Sequence, residues 1–367
     1  GFALLHPALS TVTPPGFKKR DIRMTLYIII GSMVIFLSTL ILGPWNMRFA
    51  IRHGIVAVPG ERRIHGTITP EAGGLSFGLP IIAVQLIFAF TTRGQDISRF
   101  FFELSVIGIL AMTFGIIDDR FESPARIKLV WQLLLGVIMY IIGYRVYFLT
   151  NPLGEHFILG WLSFPITVLW YVMVINAINL IDGMDGLAAG IAAIVSIVLM
   201  VCGLRESNVL VITLSAFLLA GTLAFLRYNF HPAKIFLGET GSQFIGLYIA
   251  AISTAGSAQF KGITSLTMMI PLTALAIPLL DVLLAIFRRL RLGRVFKADK
   301  AHIHHTMLAF GLSQKVISII VYCVTMLFGL IAIGFSFTDK KVLFSLLLVL
   351  LALIVIVAYI FMRMERK

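Results

Sequence analysis

Carboxylates are scarce in this chain. Asp and Glu together number 17 among 367 residues, against 30 Lys and Arg. Charged residues of both signs make up 13%, about half the usual share of a soluble protein. Cysteine is nearly absent. The 2 cysteines, Cys202 and Cys323, fall inside apolar segments with no CxxC spacing and no histidine partner. That count and spacing exclude a secreted disulfide framework and leave two structural thiols. No extended polar, basic segment is present that could form a soluble domain, so nucleic acid is a poor partner despite the net charge of +13.

What is present is apolar sequence. Mean hydropathy is +0.98, and hydrophobic residues make up 59%. A helix needs roughly 20 apolar residues to cross the hydrocarbon. The runs do not alternate apolar and polar residues, which excludes a membrane barrel. The chain therefore reads as an all-α polytopic membrane protein. Eleven spans are expected, near 25–45, 74–91, 100–117, 129–149, 158–177, 187–204, 209–226, 242–258, 264–286, 315–337 and 342–361. Those at 187–204 and 242–258 are the weakest, because they carry glycine and small residues.

Basic residues are unevenly spread between the two sets of loops. Alternating from the loop after the first span, one side carries only Arg93, Arg99, Arg145, Arg205, Lys261, Lys340 and Lys341. Most of the remaining basic residues fall in 46–73, 118–128, 227–241, 287–315 and the tail. The positive-inside rule then gives an outer N-terminus and an inner C-terminus in the plasma membrane. Residues 1–23 fit this poorly, with four basic residues on the outer side and Pro14-Pro15-Gly16. They are read as an N-terminal extension, and 24–367 as one integral-membrane domain.

The rare acids gather with the other polar clusters on the inner side. A transporter more often places ionisable groups near the bilayer midplane. Groups at helix ends and in inner loops suit an enzyme that takes a soluble substrate at the membrane face. Asp118-Asp119-Arg120 follows an apolar span directly. Adjacent carboxylates there repel each other and are costly to desolvate, which a metal or a proton-transfer role would offset. Asn176-Ala-Ile-Asn179-Leu-Ile-Asp182-Gly-Met-Asp185-Gly186 places two more acids between two long spans. A bound cation or a phosphate-bearing substrate is the simplest reason for them.

Two further clusters are basic or mixed. Arg62-Arg63-Ile-His65 precedes Thr69-Pro70-Glu71-Ala72-Gly73-Gly74, and Arg and His suit phosphate. Arg227 to Ser242 contains Asn229, His231, Phe236 and Glu239, the last between Gly238 and Gly241. Glu239 either gains from a helix dipole or ligates Mg²⁺. The longest inner loop holds Arg291, Arg294, His302, His304 and His305. Without cysteine, and with positive charge around it, this loop suits phosphate better than zinc.

Taken in order, these motifs resemble the polyprenyl-phosphate N-acetylhexosamine-1-phosphate transferases over roughly residues 25–361. The carrying residues are Arg62-Arg63-Ile-His65 with Pro70 and Gly73-Gly74, Asp118-Asp119, Asn179 to Gly186, Phe236 to Ser242, and His302-Ile-His304-His305. The resemblance implies that a lipid phosphate attacks the β-phosphate of a UDP-N-acetylhexosamine, with Mg²⁺, or Mn²⁺ in its place, neutralising the diphosphate. It implies that Asp118 activates the lipid phosphate and that Asp119 supports the metal or phosphate. Asp182 and Asp185 become catalytic, substrate- and metal-site residues oriented by Asn179. Metal ligation falls to Asp118, Asp119, Asp185 and Glu239. Asn229 and Phe236 would hold uracil, Lys128 would line the cleft, and Arg62, His65, Arg291, Arg294 and the three histidines would bind substrate.

His-Ile-His-His points to the N-acetylglucosamine branch, with undecaprenyl phosphate as acceptor. Another UDP-N-acetylhexosamine or the muramoyl-pentapeptide donor is the alternative, and a transporter is remote. Oligomeric state is open, a homodimer being one option. Two positions depart from the family: Glu239 stands where Asp is usual, and Ala57 where an Asp often precedes the arginines.

Overall fold

The computed structural model describes residues 17–58, 68–91, 95–149, 157–259 and 311–334, together with 275, 279, 308, 342 and 345–352. Nine helices lie in these stretches: α1 (Phe17–Arg52), α2 (Gly74–Thr91), α3 (Gln95–Phe121), α4 (Ala125–Ile141), α5 (Ser163–Ile181), α6 (Leu187–Arg205), α7 (Val209–Asn229), α8 (Gly238–Gln259) and α9 (Gln314–Gly334). Residues 345–352 are also helical, inside the expected last span. The expected span at 264–286 lies almost wholly outside the described residues.

Seven helices are long and apolar enough to cross a membrane by length and composition: α1, α2, α3, α5, α6, α7 and α9. Their outer faces are apolar, with Met33, Ile41, Phe90, Leu169 and Leu330 exposed. Faces of this kind belong against lipid. Several buried hydroxyls return to their own helices, as Thr39 Oγ1 does to the Ile35 carbonyl at 2.8 Å and Ser196 Oγ to the Ala192 carbonyl at 2.7 Å. This satisfies the hydroxyl where no water is available.

The spans of small residues are the centre of the bundle. Every residue of α8 from Thr240 to Ala255 is buried. It packs against α2, α3, α5, α6 and α7. Close approach is made possible by missing side chains: a Cβ on Gly74 of α2 would strike the Gly241 backbone, and one on Gly115 of α3 the Thr240 backbone. Small residues let helix backbones approach where lipid offers no hydrophobic drive. Polar pairs join the same helices, with Trp170 Nε1 donating to Ser253 Oγ at 2.8 Å and Tyr248 O–H to Gln85 Oε1 at 2.5 Å.

Two expected spans within the described residues, 129–149 and 242–258, are not among these seven helices, and the first also differs in its bounds. Instead of filling 129–149, α4 starts at Ala125 and stops at Ile141. Gly143, at φ +102°, turns the chain, and Phe148–Leu149 (β1) pairs antiparallel with Phe157–Ile158 (β2). The apolar run continues through this turn, so composition alone carried the span too far. The shift brings Arg126 and Lys128 into the first turns of α4. A second short pair, Val56–Ala57 with Thr69–Pro70, lies beside the C-terminal end of α1.

Candidate active site

Two helices present acids at the end where their dipoles oppose them. Asp118 and Asp119 are in the last turn of α3, and Asp182 is the C-cap of α5. A helix C-terminus carries partial negative charge, so carboxylates there need compensation. The structure supplies part of it from the N-terminal ends of α8 and α4.

Asp119 caps α8 from outside. Its Oδ1 accepts the Glu239 N–H at 2.6 Å, and its Oδ2 accepts the Thr240 N–H at 3.1 Å and the Thr240 hydroxyl at 2.6 Å. These donors open a helix and have no partner within it. Gly238 makes the approach possible at φ +71°, and a Cβ there would sit 2.7 and 2.8 Å from the Asp119 oxygens. The preceding residues are tied to the first glycine motif: Gly73 N–H donates to the Phe236 carbonyl at 3.0 Å, Gly74 N–H to Leu237 at 3.1 Å, and Phe236 N–H to Pro70 at 2.9 Å.

Asp118 is buried. Its Oδ1 accepts the Ser123 N–H at 2.7 Å, and its Oδ2 lies 2.6 Å from Lys128 Nζ. The same ammonium lies 2.5 Å from Glu239 Oε1. Glu239 Oε2 accepts from Asn179 Nδ2 at 2.6 Å and from Gln243 Nε2 at 3.3 Å. Both oxygens of Glu239 are therefore engaged by protein donors.

These groups surround a cleft of about 350 Å³, lined by Glu71, Asp118, Asp119, Glu122, Ser123, Lys128, Asn179, Asp182, Gly238 and Glu239. Six carboxylates thus line the cleft, and Lys128 pairs with two of them, Asp118 and Glu239. Burial pushes the Asp182 carboxyl well above its ordinary range, and the charges of Glu239, Asp119 and Glu71 push the same way. The Gly238 N–H, donating to it, pulls in the opposite direction.

Such a cleft has the chemistry to take a cation that is itself bound to anionic oxygen. Among the described residues, no three His, Cys, Asp or Glu side chains converge as a ready cage. Mg²⁺ does not require one, since it commonly uses one or two carboxylates plus substrate phosphates. The hard oxygen donors present fit that mode.

The structure brings together Asp118, Asp119, Lys128, Asn179, Asp182 and Glu239. Asp185 does not line the cleft; its Oδ2 pairs with His231 Nδ1 at 2.7 Å and accepts the Ala233 N–H at 3.1 Å. Asn229 is buried, and its Nδ2 donates to the Ile235 carbonyl at 2.9 Å. Phe236 is half-buried, on the strip that joins Pro70 to α8. Arg62, His65, Arg291, Arg294, His302, His304 and His305 lie outside the described residues. Sequence reasoning gave no site role to Glu71 and His231, although both fall in the polar clusters, and did not single out Glu122. Glu71 was read as part of a glycine turn, although in a chain this poor in acids its place beside Gly73-Gly74 was a usable signal.

Residues 101–257 match the family model described as Glycosyl transferase family 4. Over 315 residues, 85% of this chain, the sequence is 37% identical to a Bacillus subtilis (strain 168) protein named probable undecaprenyl-phosphate N-acetylglucosaminyl 1-phosphate transferase, of which 86% is covered. A Mycobacterium tuberculosis decaprenyl-phosphate N-acetylglucosaminephosphotransferase is 32% identical, with 83% of this chain and 81% of that protein aligned. A Yersinia pestis undecaprenyl-phosphate alpha-N-acetylglucosaminyl 1-phosphate transferase is 28% identical over 78% of each chain.

Proposed function

We propose, from the premise that this chain belongs to glycosyl transferase family 4, the polyprenyl-phosphate N-acetylhexosamine-1-phosphate transferases, that it moves N-acetylglucosamine 1-phosphate from UDP-N-acetylglucosamine to undecaprenyl phosphate. The products are undecaprenyl-pyrophosphoryl-N-acetylglucosamine and UMP. The observation that carries this reading is the cleft lined by six carboxylates, four of them from the ends of α3, α5 and α8, in which Lys128 pairs with Asp118 and Glu239. The donor and acceptor named for the relatives support the choice of substrates.

In this reading an oxygen of the lipid phosphate attacks the β-phosphorus of the donor. The bond from that phosphorus to the bridging oxygen breaks, and UMP leaves with the electron pair. A phosphate monoester is already largely ionised near neutral pH, with a second pKa of about 6. Asp118 therefore has little proton to remove, and its proposed work is to hold Lys128, whose ammonium meets phosphate charge. Asp182, with Glu71 and Glu239 beside it, would hold Mg²⁺, for which Mn²⁺ could substitute. Bound there, the ion would neutralise charge on the diphosphate and on the departing UMP. Asp119 fixes the start of α8 and hence Glu239. Asn179 fixes Glu239 from the other side. Arg62, His65, Arg291, Arg294, His302, His304 and His305 are proposed to close over the diphosphate and sugar, with Asn229 and Phe236 at the uracil end.

The proposed setting is the plasma membrane, with eleven spans, the N-terminus outside, the C-terminus inside, and the cleft opening to the cytoplasm. The basic inner loops and the soluble nucleotide donor support that orientation. Purified protein with Mg²⁺, labelled UDP-N-acetylglucosamine and undecaprenyl phosphate should give a chloroform-soluble sugar and one UMP per sugar transferred. Donor and acceptor panels, including the muramoyl-pentapeptide donor and decaprenyl phosphate, rank the alternatives. Absence of lipid-linked product with every pair would refute the reading.

A further inference from the structure

We infer that His231 and Asp185 form a positioning pair, which holds the 229–237 loop against the 182–186 turn and so sets the donor side of the cleft. The inference rests on the transferase reading above. Nothing in the proposed chemistry uses His231, and Asp185 is not among the residues that line the cleft.

The two segments meet closely. Gly186 is at φ +73°, and a Cβ there would lie 3.2 Å from Phe230 Cα. The turn is fixed from behind by α9: the Tyr322 hydroxyl donates to the Gly186 carbonyl at 2.6 Å, and Ser318 Oγ donates to the Asp185 carbonyl at 3.4 Å. The loop is closed on itself, with Lys234 N–H donating to the Tyr228 carbonyl at 2.8 Å and Asn229 Nδ2 to Ile235 at 2.9 Å. Turn and loop are therefore two preformed pieces. Asp185 Oδ2 joins them by accepting from both His231 Nδ1 and the Ala233 N–H.

The far end of the same loop leads into the cleft. Phe236 is tied to Pro70 and Gly73, Gly238 donates to Asp182, and Glu239 meets Lys128. A shift of the loop would move Phe236, proposed at the uracil end, while Glu239 stays held by Asp119, Asn179 and Lys128. The expected signature is weaker donor binding at an intact chemical step. Loss of a charge-assisted hydrogen bond of this kind corresponds to roughly ten- to hundredfold in an equilibrium.

The test compares His231→Ala, His231→Asn, Asp185→Ala and the Ala–Ala double variant, all in the full-length protein. His231→Ala should raise the donor KM about tenfold or more, with kcat within about twofold. His231→Asn, whose amide can donate from nearly the same place, should recover most of the loss. The double variant should be no worse than the worse single variant, because the two side chains make one contact. Amide exchange of peptides covering 182–186 and 229–237, measured without substrate, should speed up in both single variants. An unchanged KM in His231→Ala, additive losses, or an equal fall in kcat with no change in exchange would overturn the pair. Should His231→Ala not fold, His231→Leu against His231→Asn gives the same comparison. A wild-type protein that makes no lipid-linked sugar refutes the transferase reading alone, since the exchange measurement still decides the pair.

Discussion

Lys128 reaches from the first turns of α4 to lie 2.6 Å from Asp118 Oδ2 at the end of α3. The Asp118 side chain is fully buried, while the Lys128 side chain remains 27% exposed. The lysine therefore faces the cleft, and the aspartate sits behind it. A buried carboxylate left without its cation is costly, on the order of 3 kcal/mol.

That asymmetry separates stability from activity. Lys128→Met should lower the unfolding temperature in detergent, because it strands Asp118 and removes a partner of Glu239. Adding Asp118→Asn should restore much of the stability, since the uncompensated charge is gone. Neither variant should regain turnover, which the Lys128 ammonium is proposed to support. Recovery of both by the double variant would show that Lys128 is structural only.

Glu239 stands where the family usually has Asp, and the structure gives the extra methylene a use. Its two oxygens reach Lys128 on one side, and Asn179 and Gln243 on the other. A shorter side chain from the same backbone position cannot span these partners unchanged. Glu239→Asp is expected to lower turnover about tenfold or more, by loss of at least one charge-assisted contact. Equal or higher activity would mean that the glutamate is a tolerated substitute and that the cleft was built for aspartate.

Asp119 acts on α8 as an N-cap supplied by another helix. Asp119→Ala leaves the N–H groups of Glu239 and Thr240 and the Thr240 hydroxyl without their acceptor. A lost cap costs about 0.5–2 kcal/mol, and the upper end applies here because three donors lose one closely enclosed acceptor. Thermal unfolding should show that loss, and amide exchange should rise first at the start of α8. Asp119→Asn keeps acceptor capacity and should lie between the two. A variant that loses turnover with unchanged unfolding and exchange would make Asp119 a direct ligand instead.

Much of this arrangement was legible in the chain because acids are so rare in it. Asp118, Asp119, Asp182 and Glu239 stood out against apolar sequence, and they do share one cleft. Asp185 stood out equally and turns away, because residues three apart share a helical face only while the helix lasts, and α5 ends at Ile181. His231 was hidden by its neighbours: between Asn229 and Pro232 it reads as part of a turn, and only the folded chain brings Asp185 to it. The spans at 187–204 and 242–258 read as weakest because they carry glycine and small residues, and they became closely packed helices, because those same small side chains let two backbones approach. The end of α4 was misplaced for a related reason, since an apolar run carries no mark where helix gives way to strand.

The Asp182 carboxyl, held well above its ordinary range by burial and by Glu239, Asp119 and Glu71, gives the proposed cation site a pH dependence of defined sign. A raised pKa in the folded protein means that the proton stays on at pH values where a free aspartate has lost it. A divalent cation needs the ionised form and must displace that proton. Mn²⁺ affinity, read by electron paramagnetic resonance without nucleotide or lipid, should therefore rise with pH through the raised pKa, with one proton released per ion bound through Asp182. The same linkage makes the metal-free protein lose stability as pH rises through that pKa, because ionisation then costs more in the folded state than in the unfolded one. Added Mg²⁺ should offset the loss. Asp182→Asn should weaken Mn²⁺ binding and flatten its pH dependence. A variant that binds Mn²⁺ as wild type does, with the same slope, would move the cation to another carboxylate of the cleft.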